Sequence, residues 1–277
     1  DWSSDVCSSD LLTPPDPAAP VAPGDISMTP AVTAWTGPRT ADGQPNVMGA
    51  YAKNWAGARG PNFDIEEGQD AEGAAAGGGR GNPAPQIVRT PDGRIPYQPW
   101  AREQRILHRN NFFNPTELWH IDSNARCLPM GEPREALDQG FEIVQTRDLI
   151  IFNHGYNQLA RQVYLDGRPP LKDSVKLWYG DAIGRWEGNS LVIESRNHSQ
   201  AGWYDAYGNF HSPDLKLQER YVFVGDRVYY DAISTDPRVF TRPWTAHVEF
   251  VRNSGQPQEQ WEASCYEGER NVELKLN

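Results

Sequence analysis

Two charged residues, Arg161 and Glu219, occupy positions where a β-strand would present them on its apolar face. The run LARQVYL at 159–165 places Arg161 among alternating apolar residues, and the run LQERYVF at 217–223 does the same for Glu219. Alternate side chains of a strand share a face, so both charges are expected to point toward the protein interior. A buried charge is costly unless it is paired. We therefore predict that the Arg161 guanidinium holds the Glu219 carboxylate in a bidentate pair.

Such a pair can be a functional centre or a structural one. As a site, Glu219 would act as a general acid or base and Arg161 would hold an anionic group, with Tyr221 beside them as a ligand contact. As a structural element, the same pair would fix the register of two strands. The residues alone leave both interpretations open.

Further ligand-binding candidates lie at turns and strand ends: Asp181, Trp186, Trp244 and His154. The alternative is that Asp181 caps backbone amides at a turn and that the two tryptophans anchor the core. Glu267, with the neighbouring Arg270, could rim a pocket or belong to a solvated turn.

The histidines show no metal-binding spacing. His154, His198 and His211 fall near strand ends, where they could converge only in space, so no metal site is assigned. The sequence has no P-loop, no GxSxG motif and no GxGxxG after a strand, and no cofactor is assigned.

The elements that must position these residues are short strands joined by tight turns, from about residue 141 to residue 266. Hairpins are indicated over Gly188, over Gly225 and over 253–255. Consecutive hairpins favour an all-β antiparallel meander, and closing it into a barrel removes unpaired edges. An open β-sandwich is the alternative. One short helix is predicted near 98–109, and the segment 171–178 is ambiguous.

The chain divides into three parts. Residues 1–11 resemble a translated sequencing adapter and are left out of the fold prediction. Residues 12–95 are rich in Pro, Gly and Ala and predict a flexible N-terminal arm, with a possible first strand near 47–51. Residues 96–277 are expected to form the β domain.

The amino-acid composition argues against some classes of binding partner. The 277 residues carry a net charge of −11 without a basic stripe, which argues against a nucleic-acid partner. No apolar run approaches the roughly 18 residues of a membrane span. Ten Trp and eleven Tyr predict an aromatic core or an aromatic-lined pocket.

Several motifs are similar to those of a large group of uncharacterised exported bacterial proteins. They are YLDGRP, YGDAIGRWEGNSLVIES, LQERYVF, DPRVFTRPWTAHVEF, SCYEGERN and, upstream, PRTADGQPNVMGAY. The likeness covers about 36–50 and 125–271 and implies export, to the periplasm or beyond, and a lipocalin-like barrel. It implies no known activity. Two departures are Gln158, where many members have His, and CYEGERN in place of CxEGN.

Without Cys7 of the adapter-like segment, two cysteines remain, Cys127 and Cys265. Their separation fits one long-range disulfide in an oxidising compartment, and two unrelated buried thiols are the alternative.

Three functions are consistent with the sequence. The first is binding of a small apolar or aromatic molecule inside the barrel. The second is a lyase, isomerase or hydrolase that uses Glu219 and Arg161. The third is a cell-surface interaction module with a filled core.

Overall fold

Nine strands close into one barrel in the computed structural model of the chain. The structure describes residues 21–54, 87–111, 114–138, 140–155, 159–200, 202–205 and 208–253. The strands within these ranges are β1 (Gly49–Lys53), β2 (Phe141–Gln145), β3 (Leu149–His154), β4 (Ala160–Tyr164), β5 (Asp181–Glu187), β6 (Ser190–Arg196), β7 (Lys216–Val224), β8 (Arg227–Thr235) and β9 (Trp244–Arg252). They follow one another in chain order, and β1 closes the barrel by pairing with both β2 and β9.

The closed barrel confirms the predicted fold class, with one difference in strand direction. Neighbouring strands are antiparallel except β4 and β5, which run parallel where Tyr164 lies opposite Ile183. Parallel neighbours need a long connection that returns to the starting end of the sheet. The ambiguous segment 171–178 belongs to this connection and forms no strand. The strand predicted at 259–266 lies outside the described residues.

The first strand, β1, lies at Gly49–Lys53 instead of 47–51, and it is part of the barrel. The predicted boundary between an arm and a β domain at residue 96 therefore does not coincide with the barrel. The physical reason is edge pairing, because without β1 the free edges of β2 and β9 would be exposed. The stretch predicted to be flexible, 56–86, lies outside the described residues.

Residues 21–35, which we call the strap, run along the outside of the barrel. At one end the Ala22 amide donates to Thr245 Oγ1 at 2.8 Å. At the other end the Asn189 amide, in the β5–β6 turn, donates to the Thr33 carbonyl at 2.8 Å. This part of the predicted arm is thus fixed to the barrel by hydrogen bonds.

Helical segments cover the barrel end at which β3 ends and β4 begins, here called the capped end. Helix α1 (Pro99–Asn110) lies within one residue of its predicted position, and a second helix, α2 (Arg134–Asp138), was not predicted. Two short 3-10 turns, Leu118–His120 and Asn124–Arg126, lie between them. No helix in the described part of the chain is both long and apolar enough to cross a membrane.

Aromatic rings fill much of the barrel interior. The ring centroid of Phe141 lies 4.7 Å from that of Phe250 and 5.2 Å from that of Phe152, and Tyr221 lies 4.5 Å from Tyr230. All five side chains are buried. Edge-on and tilted contacts at these distances add to the stability gained from apolar burial.

Alanine substitutions at two hairpin glycines, Gly188 and Gly225, test whether the strap packs against the β5–β6 turn. Gly188 and Gly225 both have positive φ, +57° and +62°, so alanine at either position meets a strain of about 1 to 2 kcal/mol. A Cβ at Gly188 would also overlap the Thr33 carbonyl of the strap, whereas a Cβ at Gly225 meets no atom within 4 Å. We expect Gly188→Ala to lower the free energy of unfolding more than Gly225→Ala, as measured by denaturant midpoints. Equal losses would contradict the placement of the strap.

Candidate functional site

The predicted pair of Arg161 and Glu219 forms at the capped end of the barrel. Arg161 Nη1 donates to Glu219 Oε1 at 2.8 Å, and Arg161 Nη2 donates to Glu219 Oε2. The Tyr230 hydroxyl donates to the same Oε1 at 2.8 Å. Both charged side chains are fully buried, as the two-residue strand period predicts. Glu219 therefore accepts three hydrogen bonds with its two oxygens, an arrangement that holds the carboxylate in one orientation.

A second carboxylate shares the charge of Arg161. Glu132 Oε1 lies 3.3 Å from Arg161 Nη1 and 3.6 Å from His154 Nε2. The second distance is too long for a hydrogen bond, so Glu132 and His154 face each other as ionisable neighbours. The other oxygen, Glu132 Oε2, accepts the Ala136 amide of helix α2 at 3.3 Å.

A third carboxyl, Glu135, lies on the first turn of α2. Its Oε1 accepts the Met130 amide at 3.3 Å and the Tyr179 hydroxyl at 3.4 Å. The Tyr179 ring stacks on the imidazole of His154 at a centroid separation of 5.9 Å and an interplanar angle of 14°. Together these residues form the capped-end cluster: Glu132, Glu135, His154, Arg161, Tyr179, Glu219 and Tyr230.

Burial and mutual charge move the pKa values within the cluster in different directions. Burial disfavours the charged form of Glu132, but Arg161 and His154 outweigh burial and hold its pKa below the ordinary value. Burial raises the pKa of Glu219 against the opposing charge of Arg161. Burial also raises the pKa of Glu135, to about 7. Arg161 is thus the permanent cation that contacts both Glu132 and Glu219. Glu135 is the group that exchanges a proton near neutral pH.

Several buried polar atoms of the cluster have no hydrogen-bond partner among the described residues. They are Glu132 Oε1, Glu135 Oε2, Arg161 Nε and both ring nitrogens of His154, but Glu132 Oε1 also lies at ion-pair distance from Arg161 Nη1 and from His154 Nε2. An unpaired buried polar atom costs about 1 to 3 kcal/mol, and native proteins keep few of them. Comparable atoms lie elsewhere among the described residues, for example His120 Nε2 and Trp244 Nε1, whereas those of the cluster are grouped around ionisable side chains.

The sequence analysis predicted some residues of the capped-end cluster and did not predict the others. Arg161, Glu219 and His154 follow from strand periodicity and strand ends. Glu132 and Glu135 were missed because they lie in the Pro- and Gly-punctuated run LPMGEPREALDQG, which has no strand period to assign a direction. The available signal was two glutamates three residues apart, which share a face if the segment is helical.

The other predicted site residues lie apart from the pair. Asp181 Oδ2 accepts a hydrogen bond from the Leu171 amide at 2.7 Å and so fixes the connection between β4 and β5 to the start of β5. Trp244 is fully buried at the start of β9 and packs on Tyr204 at 5.4 Å, as a core anchor does. Trp186 lies near the opposite end of the barrel from Arg161, whereas Tyr221 packs on Tyr230 beside the cluster.

The histidines near strand ends are all buried, at the capped end. His198 and His211 are neighbours, with ring centroids 6.0 Å apart. Burial lowers the pKa of both rings, that of His198 strongly, and therefore favours their neutral forms. Within the described ranges, no group of three or more His, Cys, Asp or Glu residues is arranged to hold a metal ion.

Cys127 follows the second 3-10 turn and has a positive φ of 54°. Both Cys265 and Cys7 lie outside the described residues, so the pairing of Cys127 with Cys265 stays a prediction. Glu267 and Arg270 also lie outside them.

The Arg161–Glu219 pair predicts a strongly coupled mutant cycle. Arg161→Met leaves two buried carboxylates without their cation and should destabilise by about 3 to 5 kcal/mol, more than Glu219→Gln. The double variant should lose less than the sum of the two, and denaturant midpoints of the four proteins give the coupling energy. Additive losses would show that the two side chains do not interact.

Glu135 predicts a pH-dependent stability. Its folded pKa of about 7 lies above its ordinary value of 4.5, so its stabilising proton is fully present below about 4.5 and lost as the pH rises through 7. Relative to Glu135→Gln, the wild-type protein should lose up to about 3 kcal/mol between pH 5 and pH 8. Chemical denaturation at both pH values measures this, with Glu103→Gln, an exposed position on α1, as the control. A pH-independent difference would contradict the burial of an ionisable Glu135.

Comparison with known proteins leaves the family open: no family model, no curated protein and no solved structure matches the chain. Its function is therefore argued from the geometry of the capped-end cluster.

Proposed function

We propose that this barrel binds a small, partly aromatic or apolar molecule whose polar group is held by the capped-end cluster. The observation that carries this proposal is the set of buried polar atoms without a hydrogen-bond or ion-pair partner among the described residues, namely Glu135 Oε2, His154 Nδ1 and Arg161 Nε. A bound polar group would supply the missing partners and remove the penalty of leaving them unpaired.

The surroundings of the cluster favour a molecule with an aromatic or apolar part. Phe152 lies on the interior side of Arg161, with the guanidinium carbon 6.0 Å from the ring centroid. Tyr221 packs against the Phe152 ring at 5.1 Å, and Tyr179 forms a flat stack with His154. Sites of this composition, mostly apolar walls with a few convergent polar groups, are typical of small-molecule pockets.

The same geometry supports proton-transfer catalysis as a second candidate. Glu135, with a pKa of about 7, is suited to exchange a proton near neutral pH. His154 adds a buried ring nitrogen, Nδ1, that makes no hydrogen bond to a described residue. The sequence-based proposal of Glu219 as the acid or base stays untested. However, its hydrogen bonds to Arg161 and Tyr230 favour a positioning role, and they leave Glu135 as the more available proton carrier.

We also propose that the protein is exported. The motifs resemble those of exported proteins, and the predicted disulfide of Cys127 with Cys265 would fit an oxidising compartment.

Native mass spectrometry of the purified protein tests the binding proposal. We expect the wild-type protein to carry the mass of a small molecule in addition to that of the polypeptide, and His154→Phe to lose it. The control is His108→Phe, because His108 is also a buried, stacked histidine, 4.8 Å from Trp203, but lies on α1 outside the cluster.

If His154→Phe does not fold, Tyr179→Phe provides the same test, since it removes only the hydroxyl that contacts Glu135. The proposal would be contradicted if the wild-type protein showed the polypeptide mass alone and both cluster variants were folded and more stable than the wild-type protein. That result would indicate that the cluster is a structural polar core.

A further inference from the structure

The barrel carries a second concave surface, at the end opposite the capped-end cluster. It is an open cleft of about 430 Å³, bounded by the loop 34–45 and by the β5–β6 turn. Its walls include two tryptophans, Trp35 and Trp186, and its rim includes Arg39 and Asp42. The volume is within the range of small-ligand sites. Nothing in the proposed function uses this cleft.

The two indoles are held in place by their neighbours. Trp35 Nε1 donates to the Pro38 carbonyl at 2.7 Å, which fixes the ring to its own loop. Both tryptophans pack on Phe223, at centroid separations of 6.4 Å for Trp35 and 6.0 Å for Trp186. A ligand that packs on these rings meets side chains that are already ordered, which lowers the entropic cost of binding.

The polar groups of the cleft have opposite charges. Asp42 is exposed and makes no hydrogen bond or ion pair with another described residue, so its carboxylate is an available acceptor. Arg39 donates one hydrogen bond, from Nη1 to the Gly43 carbonyl at 2.6 Å, and a guanidinium has five N–H donors. Trp186 Nε1 is buried with no hydrogen-bond partner among the described residues, an unpaired donor in the wall of the cleft.

From this combination we infer that the cleft binds a neutral carbohydrate. A sugar ring has apolar C–H faces that pack on an indole, and its hydroxyls both donate and accept hydrogen bonds. Those hydroxyls can use the Asp42 acceptor and the Arg39 donors at once. A purely apolar ligand would desolvate both charges without pairing them, and a singly charged ligand would pair with only one of the two.

Titration with neutral trisaccharides tests the inference. Maltotriose, cellotriose and tri-N-acetylchitotriose are titrated into the whole protein by calorimetry, with saturation-transfer NMR for weak binding. We expect saturable binding of at least one of them, weakened at least tenfold by Trp35→Ala and by Asp42→Ala. The control is Trp100→Ala, which removes an indole that is 51% exposed on helix α1 and should leave binding unchanged.

Asp42→Ala changes an exposed loop residue, so the test remains valid if a tryptophan variant fails to fold. Absence of saturable binding for all three sugars would overturn the inference. So would sugar binding that the cleft variants leave unchanged, or binding of a proline-rich peptide in the cleft in place of any sugar. These results do not depend on the ligand of the capped-end cluster, because the two sites lie at opposite ends of the barrel.

Discussion

The capped end of the barrel depends on one fully buried guanidinium, that of Arg161, which two carboxylates share. Glu219 reaches it from β7 and Glu132 reaches it from the segment before helix α2, so one guanidinium connects two barrel strands and the cap. Removing such a charge from water costs several kcal/mol, and only well-directed partners compensate for it. The positions of the strands and of the cap are therefore constrained by the need to keep this group paired.

This constraint also explains which carboxyl at the capped end keeps a proton near neutral pH. Arg161 is in direct contact with only two of the three nearby carboxyls, Glu132 and Glu219, and burial disfavours the ionised form of the third, Glu135. The proton that is retained near neutral pH is the one on Glu135, which lies beside Tyr179 and is not in direct contact with Arg161.

The strand patterns of the sequence predict the positions of strand residues but not those of residues in turns and connections. Period-two patterns fix the direction of each strand residue, and so they correctly brought Arg161 and Glu219 together. They give no direction to residues in turns, which is why Glu132 and the strap were missed. The parallel step between β4 and β5 was missed for a related reason, since it depends on the route of an irregular connection. Trp244 illustrates the converse, a conspicuous residue whose complete burial gives it a packing role.

The most direct measurement of the central claim is the NMR spectrum of the Arg161 guanidinium in protein labelled with ¹⁵N-arginine. The signal is assigned by its loss in Arg161→Met. If two buried carboxylates hold the group, its Nη protons should be individually resolved, should rotate slowly and should exchange slowly with water between pH 6 and pH 8. A single averaged Nη signal that exchanges rapidly, like that of an exposed arginine, would contradict the account.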